Sequence, residues 1–146
     1  MIAVDTNILV YAHRSDSPWN QAAYECVRGL AERRAAWAIP WPCVYEFFSI
    51  VTHPRIYAPP STSEQAIEQL DAWFEAPGLT LLAEEGAHWQ TLKLQLLRGK
   101  VSGPLAHEAR IAALCLVHRV SELWSADRDF GRFAELRTHN PLLSAG

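Results

Sequence analysis

Five carboxylates in this 146-residue chain stand where an acid needs a reason: Asp5, Glu46, Glu108, Asp127 and Asp129. Asp5 follows the apolar run Ile2-Ala3-Val4, so it would emerge at the carboxyl end of a short buried strand, where open α/β sheets place ligands and chemistry. It could equally cap a helix over Thr6 to Ala12 by accepting backbone N–H bonds, and this segment alone leaves both readings open. Glu46 lies among Val44, Tyr45, Phe47, Phe48, Ile50 and Val51, a helix apolar nearly all round, in which a carboxylate requires compensation. Glu108 falls in the first turns of a second apolar helix, where an acid also suits the helix dipole. Asp127 and Asp129 sit together in Ser125-Ala126-Asp127-Arg128-Asp129-Phe130, directly after another apolar run.

Four or five carboxylates meeting without paired bases repel one another and are costly to bury unless protonated or neutralised by a cation. Oxygen donors select hard ions, and Mg²⁺ takes a few carboxylates plus water and substrate phosphate; Mn²⁺ fits the same set. Zinc is disfavoured, because His13, His53, His88, His107, His118 and His139 show no paired ligand spacing with each other or with the cysteines. A metal facing phosphate can polarise it and activate water, so phosphodiester hydrolysis is the natural chemistry. No nucleophile elbow supports a serine or cysteine mechanism, and Gly99 and Gly103 make no phosphate-cradling Walker pattern.

The elements that must position these acids follow from the punctuation of the chain. Ser17-Pro18 suits a helix start, with Trp19, Ala22, Ala23, Cys26, Val27 and Leu30 at helical spacing. Trp37 to Ile39 reads as a buried strand ended by Pro40, and Pro42 opens the helix of Glu46, which runs to about Thr52. Ser61-Thr62-Ser63-Glu64 has capping-box spacing and predicts a helix with Ile67, Leu70, Trp73 and Phe74 inward, stopped by Pro77-Gly78. Leu79 to Leu82 is a strand; Trp89, Leu92, Leu96 and Leu97 mark the next amphipathic helix, ending near Gly99. Pro104 to about Arg119 forms the helix of Glu108, Val120 to Trp124 a fourth strand, and Leu136 to Thr138 a last edge strand. Alternation of this kind predicts a three-layer α/β/α sandwich around a mostly parallel sheet, with residues 1–146 as one domain. Asp5 and Asp127 would then share the sheet's carboxyl edge if their strands are parallel neighbours. Glu46 and Glu108 would join them, since helices that follow such strands begin at that edge.

Composition bounds the rest. With 49% hydrophobic and 20% charged residues the chain reads as a globular, soluble protein rather than a disordered one. A net charge of −3 provides no global attraction to nucleic acid, so a polyanionic partner needs a local cation or a metal. Arg14, Arg55, Lys100, Arg110, Arg128 and Arg132 are the candidate phosphate contacts, with Arg128 and Arg132 favoured because they flank Asp129. Cys26, Cys43 and Cys115 are odd in number and lie in apolar periodic segments, reading as reduced core residues. No apolar run approaches the ~20 residues of a membrane span, and the amino-terminal run lacks a secretory pattern, so a cytoplasmic protein is expected. The six tryptophans read mainly as core, with an interface role for any left exposed.

The ordered motifs resemble the PIN domain, and within it the VapC-like toxins of bacterial toxin–antitoxin pairs. The resemblance rests on Asp5-Thr6-Asn7-Ile8-Leu9-Val10-Tyr11-Ala12, on Glu46 before Phe47, and on Trp124-Ser125-Ala126-Asp127-Arg128-Asp129-Phe130. It implies a PIN-like fold and a Mg²⁺- or Mn²⁺-dependent endoribonuclease, usually a homodimer, restrained by an antitoxin whose carboxyl-terminal segment covers the site. By motif position, Asp5, Glu46 and Asp127 match the family's metal or catalytic acids, Asp129 an additional site acid, and Thr6, Asn7 and Ser125 polar supports. Glu108 departs from the family's usual Asp in His107-Glu108-Ala109-Arg110; it keeps the charge on a longer, freer side chain. That departure motivates an alternative, a catalytically weakened PIN module that acts mainly by binding RNA or a protein partner. A phosphoacceptor domain using Asp5 is a third class, disfavoured because Asp5-Thr6-Asn7 lacks the second acid of such nucleophile motifs.

Overall fold

Apolar runs of three or four residues make buried strands where both faces of the sheet are covered, and the fold does this for its central strands, Ile2–Val4 and Trp37–Pro40. In this computed structural model, which describes residues 1–143, β1 (Ile2–Val4), β2 (Trp37–Pro40), β3 (Leu79–Leu82), β4 (Glu122–Trp124) and β5 (Thr138–His139) form one sheet. Its order is β3-β2-β1-β4-β5 and every neighbouring pair is parallel. All four residues of β2 and the Ala3 and Val4 side chains of β1 are buried, as in a sheet covered on both faces.

Parallel neighbours require crossovers, supplied by α1 (Thr6–His13), α2 (Asn20–Glu32), α3 (Trp41–Val51), α4 (Ser63–Phe74), α5 (His88–Arg98) and α6 (Ala106–Val117). The chain winds from β1 to β2 to β3 in one direction, then crosses back over β1 to β4. Right-handed crossovers therefore put α1 to α4 on one face and α5 with α6 on the other. The packing agrees: α1 touches α2 and α3, α3 touches α4, and α5 lies along α6. The result is the three-layer α/β/α sandwich. Because the winding reverses between β1 and β4, the crevice outside their carboxyl ends is the topological switch point, the ligand-binding place of such sheets.

Several elements differ in detail from the sequence reading. Ser17 does not cap α2: its hydroxyl accepts from Trp19 N (3.1 Å) in a turn, and the helix starts at Asn20, leaving Trp19 exposed. The capping box of α4 is shifted by one residue, with Gln65 N donating to Thr62 Oγ1 (3.1 Å) and Thr62 N to Gln65 Oε1 (2.9 Å). Ala66, Leu70 and Trp73 consequently face inward while Ile67 is half exposed. Tyr45 of α3 points outward, so that helix is not buried nearly all round as expected, and Trp89 and Leu97 of α5 lie off the inward face on which the sequence reading put them. The start of the helix expected from Pro104 is tightened into a 3-10 turn, Gly103–Leu105, and the last strand, Thr138–His139, starts two residues and ends one residue later than predicted. Among the described residues no helix is long and apolar enough to cross a membrane.

The shifted face of α4 is directly measurable. Leu70→Ala should lower the unfolding free energy by about 2–5 kcal/mol in urea denaturation, whereas Ile67→Ala should change it by about 0.5 kcal/mol or less. Equal costs at the two positions would contradict this packing.

Candidate active site

At the switch point the ladder delivers two polar residues side by side. Val4 pairs with Trp124, Asp5 N then donates to Trp124 O (2.9 Å), and Ser125 N continues the sheet to His139 O (3.0 Å). Asp5 and Ser125 thus leave adjacent strands together, and Ser125 Oγ donates to Asp5 Oδ2 at 2.7 Å. Both are buried. Asp5 holds the N-cap position of α1, but its side chain makes no cap hydrogen bond; the capping reading is set aside by where its oxygens point. The other carboxylate oxygen, Oδ1, accepts a long hydrogen bond from Cys43 Sγ at 3.7 Å.

The first turns of the helices add the remaining groups. Thr6 Oγ1 donates to Glu46 Oε2 (3.2 Å), joining α1 to α3. Asn7 Oδ1 accepts from Ala126 N (3.2 Å), and Ser125 Oγ accepts from Asp127 N (3.0 Å), so the residues after β4 are tied to α1. Asp127 caps the 3-10 turn Arg128–Arg132 by accepting from Asp129 N at 2.8 Å. A cavity of about 290 Å³ opens here, and Asp5, Glu46, Glu108 and Asp127 all line it together with Thr6 and Asn7. None of its lining side chains is a Lys, Arg or His. Asp129 is exposed and belongs to an adjoining hollow that it shares with Glu46, Glu108 and His107.

The electrostatics follow from burial without a countercharge. Burial pushes the Asp5 carboxyl up to about 6; the Ser125 hydroxyl and Thr6 N–H oppose the rise, while Glu46 and Asp127 add to it. Glu46 is also raised, first by burial and then by Glu108, against the lowering effects of Thr6, His107 and Arg110. Burial holds the Cys43 thiol well above its usual range, which keeps it protonated and able to donate to Asp5.

The donor set suits a hard divalent cation: four carboxylates, no soft ligand aimed into the cavity, and a buried acid whose ionisation is resisted. Among the described residues no three His, Cys, Asp or Glu side chains form a ready-made cage. Mg²⁺ does not require one, since it keeps waters and takes substrate phosphate alongside one or two carboxylates. Glu108, reaching in from the opposite layer, can approach or withdraw through its extra methylene.

The predicted phosphate contacts fare differently. Arg132 Nη1 donates to Gly99 O (3.0 Å), Arg110 pairs with Glu84, and Arg14 pairs with Asp16 (2.7 Å). Arg128 is exposed beside Asp127, and no ion pair is formed by it among the described residues. Cys43, Tyr11 and Tyr57 were not read as site residues; Cys43 looked like any core cysteine, and Tyr57 sits in a proline-rich loop whose path has no periodicity to follow.

Comparison with known proteins places these observations. The PIN domain family model matches residues 2–136. The chain is 34% identical over 146 residues to the "Ribonuclease VapC43" of Mycobacterium tuberculosis, covering 97% of this chain and 96% of that relative. VapBC2 from Rickettsia felis, solved bound to a promoter DNA fragment, superposes with a TM-score of 0.65 at 20% identity, covering 95% of this chain and 98% of that one. The Mycobacterium tuberculosis VapC20, described as a sarcin–ricin loop cleaving toxin, superposes with a TM-score of 0.63 at 11% identity, covering 90% and 93%.

Asp5 makes stability depend on pH with a definite sign. Its folded value of about 6 lies above the unfolded 3.8, so without metal its contribution is full below about pH 4 and is lost as pH rises through about 6. Asp5→Asn, which can still accept from Ser125, should therefore be the more stable protein in EDTA at pH 8, by up to ~3 kcal/mol. Its melting temperature should also vary less between pH 4.5 and 8 than that of the native chain.

Proposed function

The chain belongs to the PIN-domain family, and from that footing we propose that it is a Mg²⁺- or Mn²⁺-dependent endoribonuclease, the toxin of a toxin–antitoxin pair. The observation that carries the proposal is the convergence of Asp5, Glu46, Glu108 and Asp127 on one cavity with no basic side chain lining it. Such a site repels RNA unless a cation is held there, and attracts its phosphate once one is. The full-length likeness to proteins named VapC ribonucleases supports RNA as the substrate.

Asp5, Glu46, Glu108 and Asp127 are the residues we assign to the ion, with Asp129 at the outer edge. When bound, the divalent ion would polarise the phosphoryl oxygen, lower the pKa of an attacking water and stabilise the leaving oxygen. The chain's own contribution is placement. Ser125 and Cys43 restrain the two oxygens of Asp5, so its carboxylate cannot turn away from the cavity. Thr6 orients Glu46, and Asn7 with Ser125 anchors the backbone that carries Asp127. Holding ligands from four elements to within a fraction of an ångström is what such chemistry demands. Arg128, exposed next to Asp127, is the cation best situated to meet the RNA backbone outside the cavity. Arg132 is a weaker candidate because of its bond to Gly99.

We extend the reading to partners and place: a cognate antitoxin that covers the acidic cavity, a homodimeric assembly, and action in the cytoplasm where RNA is available. The solved VapBC2 complex supports an antitoxin partner. Glu108 sustains the second reading, a weakened module that mainly binds RNA or protein, because its longer arm loosens one ligand of the ion.

Purified protein free of antitoxin should cut RNA with Mg²⁺ or Mn²⁺, stop in EDTA, and lose about a hundredfold or more of its rate in Asp5→Ala. Undiminished cleavage by Asp5→Ala would reject the site. A large gain in Glu108→Asp would favour the weakened module, and native turnover equal to that variant would favour the full enzyme.

A further inference from the structure

The acidic cavity is acidic on one side only. One helical turn beyond its polar residues the same helix faces become apolar: Val10 and Tyr11 follow Thr6 and Asn7, Ile50 follows Glu46, and Ile111 follows Glu108. Tyr57 completes this wall from the loop between α3 and α4. A divalent ion held by carboxylates and water has no use for an aromatic wall. A ligand that meets both sides must join an anionic group to a flat apolar one.

The Tyr57 ring is held in place. The Arg14 guanidinium carbon lies 4.2 Å from its centroid. Arg14 is in turn fixed by Asp16 (2.7 and 2.9 Å), by the Pro59 carbonyl (2.9 Å) and by the Ser61 hydroxyl (3.2 Å). Arg14 borders a neighbouring hollow and not the acidic cavity, while Tyr57 borders the acidic cavity and not that hollow, so the ring stands between the two. A cation over one face of an aromatic ring, itself neutralised and immobile, leaves a preorganised stacking surface at low entropic cost. Tyr11 stands close by on α1, half-buried like Tyr57. Among the described residues neither phenol hydroxyl has a hydrogen-bond partner, and neither is sealed from solvent, so both remain available to a ligand's polar edge.

We propose that the Tyr11–Tyr57 wall of the acidic cavity is a nucleobase subsite, which stacks one base of the RNA beside the scissile phosphate and so selects where the chain is cut. This rests on the ribonuclease reading for its phosphate half; the base half stands on the aromatic wall. Stacking is tolerant of base identity, and the two hydroxyls add discrimination at the base edge.

Nucleoside 5′-monophosphates and ribose 5-phosphate separate the two halves, titrated calorimetrically into the full chain with Mg²⁺. At least one of the four nucleotides should bind about tenfold or more tighter than ribose 5-phosphate, the scale of one stacked base. Tyr57→Leu, which keeps apolar bulk, should abolish that difference, and Tyr57→Phe should retain most of it. Tyr57 is half-buried and packs against the edge of the core, so both variants, which keep apolar bulk there, should melt within a few degrees of the native protein. Ribose 5-phosphate binding as tightly as all four nucleotides, no binding of any, or a preference unchanged in Tyr57→Leu would overturn the subsite. The ribonuclease reading is judged separately: RNA cleavage without base-dependent binding rejects only the subsite, and base-dependent binding without cleavage rejects only the ribonuclease.

Discussion

A carboxylate buried at the end of the central strand is the constraint around which this protein is built. Asp5 follows β1, the middle strand of the sheet, and is almost wholly removed from water. Its ionised form gains a hydroxyl from Ser125 and a weak thiol contact from Cys43, and it faces Glu46 and Asp127 of like sign. The Ser125 hydroxyl and the Thr6 N–H do not offset the desolvation of a charge, which is why its carboxyl is driven up to about 6. A group held in that condition is either protonated or awaiting a cation. The surroundings favour the second, because three further acids open onto the same cavity.

The topology makes this convergence possible. Reversal of the winding between β1 and β4 leaves a crevice at their carboxyl ends that no crossover helix covers. Helices from both layers begin around it, so α3 brings Glu46 from one side of the sheet and α6 brings Glu108 from the other. The polar supports are local consequences of the same geometry: Thr6 and Asn7 open α1, and Ser125 and Asp127 follow β4. Beneath them lies one continuous core that includes Ile8, Leu9, Phe47, Ile39 and Leu123. It supplies the rigidity that a repelling cluster of acids requires.

Much of this was legible in the sequence, for identifiable reasons. Short apolar runs bounded by Pro, Gly or an acid suit strands better than helices by their length, and their alternation with helices points to a parallel sheet. The four cavity acids were conspicuous because each interrupts or directly follows apolar sequence. What escaped depends on rotation and on side-chain direction. The α4 box could be read from Ser61 or Thr62, and a one-residue shift turns Ile67 from the core to solvent. Trp89 and Leu97 look like core by composition but point outward. Arg132 flanks Asp129 in sequence, yet its guanidinium turns to Gly99 O. The Cys43 contact and the fixing of Tyr57 by Arg14 join segments 38 and 43 residues apart, beyond the reach of any local pattern.

The most direct measurement of the central claim is Mn²⁺ binding to the purified chain without RNA, followed by calorimetry near pH 6 in two buffers of different ionisation enthalpy. The account predicts saturable binding that releases protons, because the ion displaces the proton that Asp5 partly retains near pH 6, and loss of that binding in Asp5→Asn. Binding of equal strength in Asp5→Asn, or no saturable binding to the native chain, would contradict it.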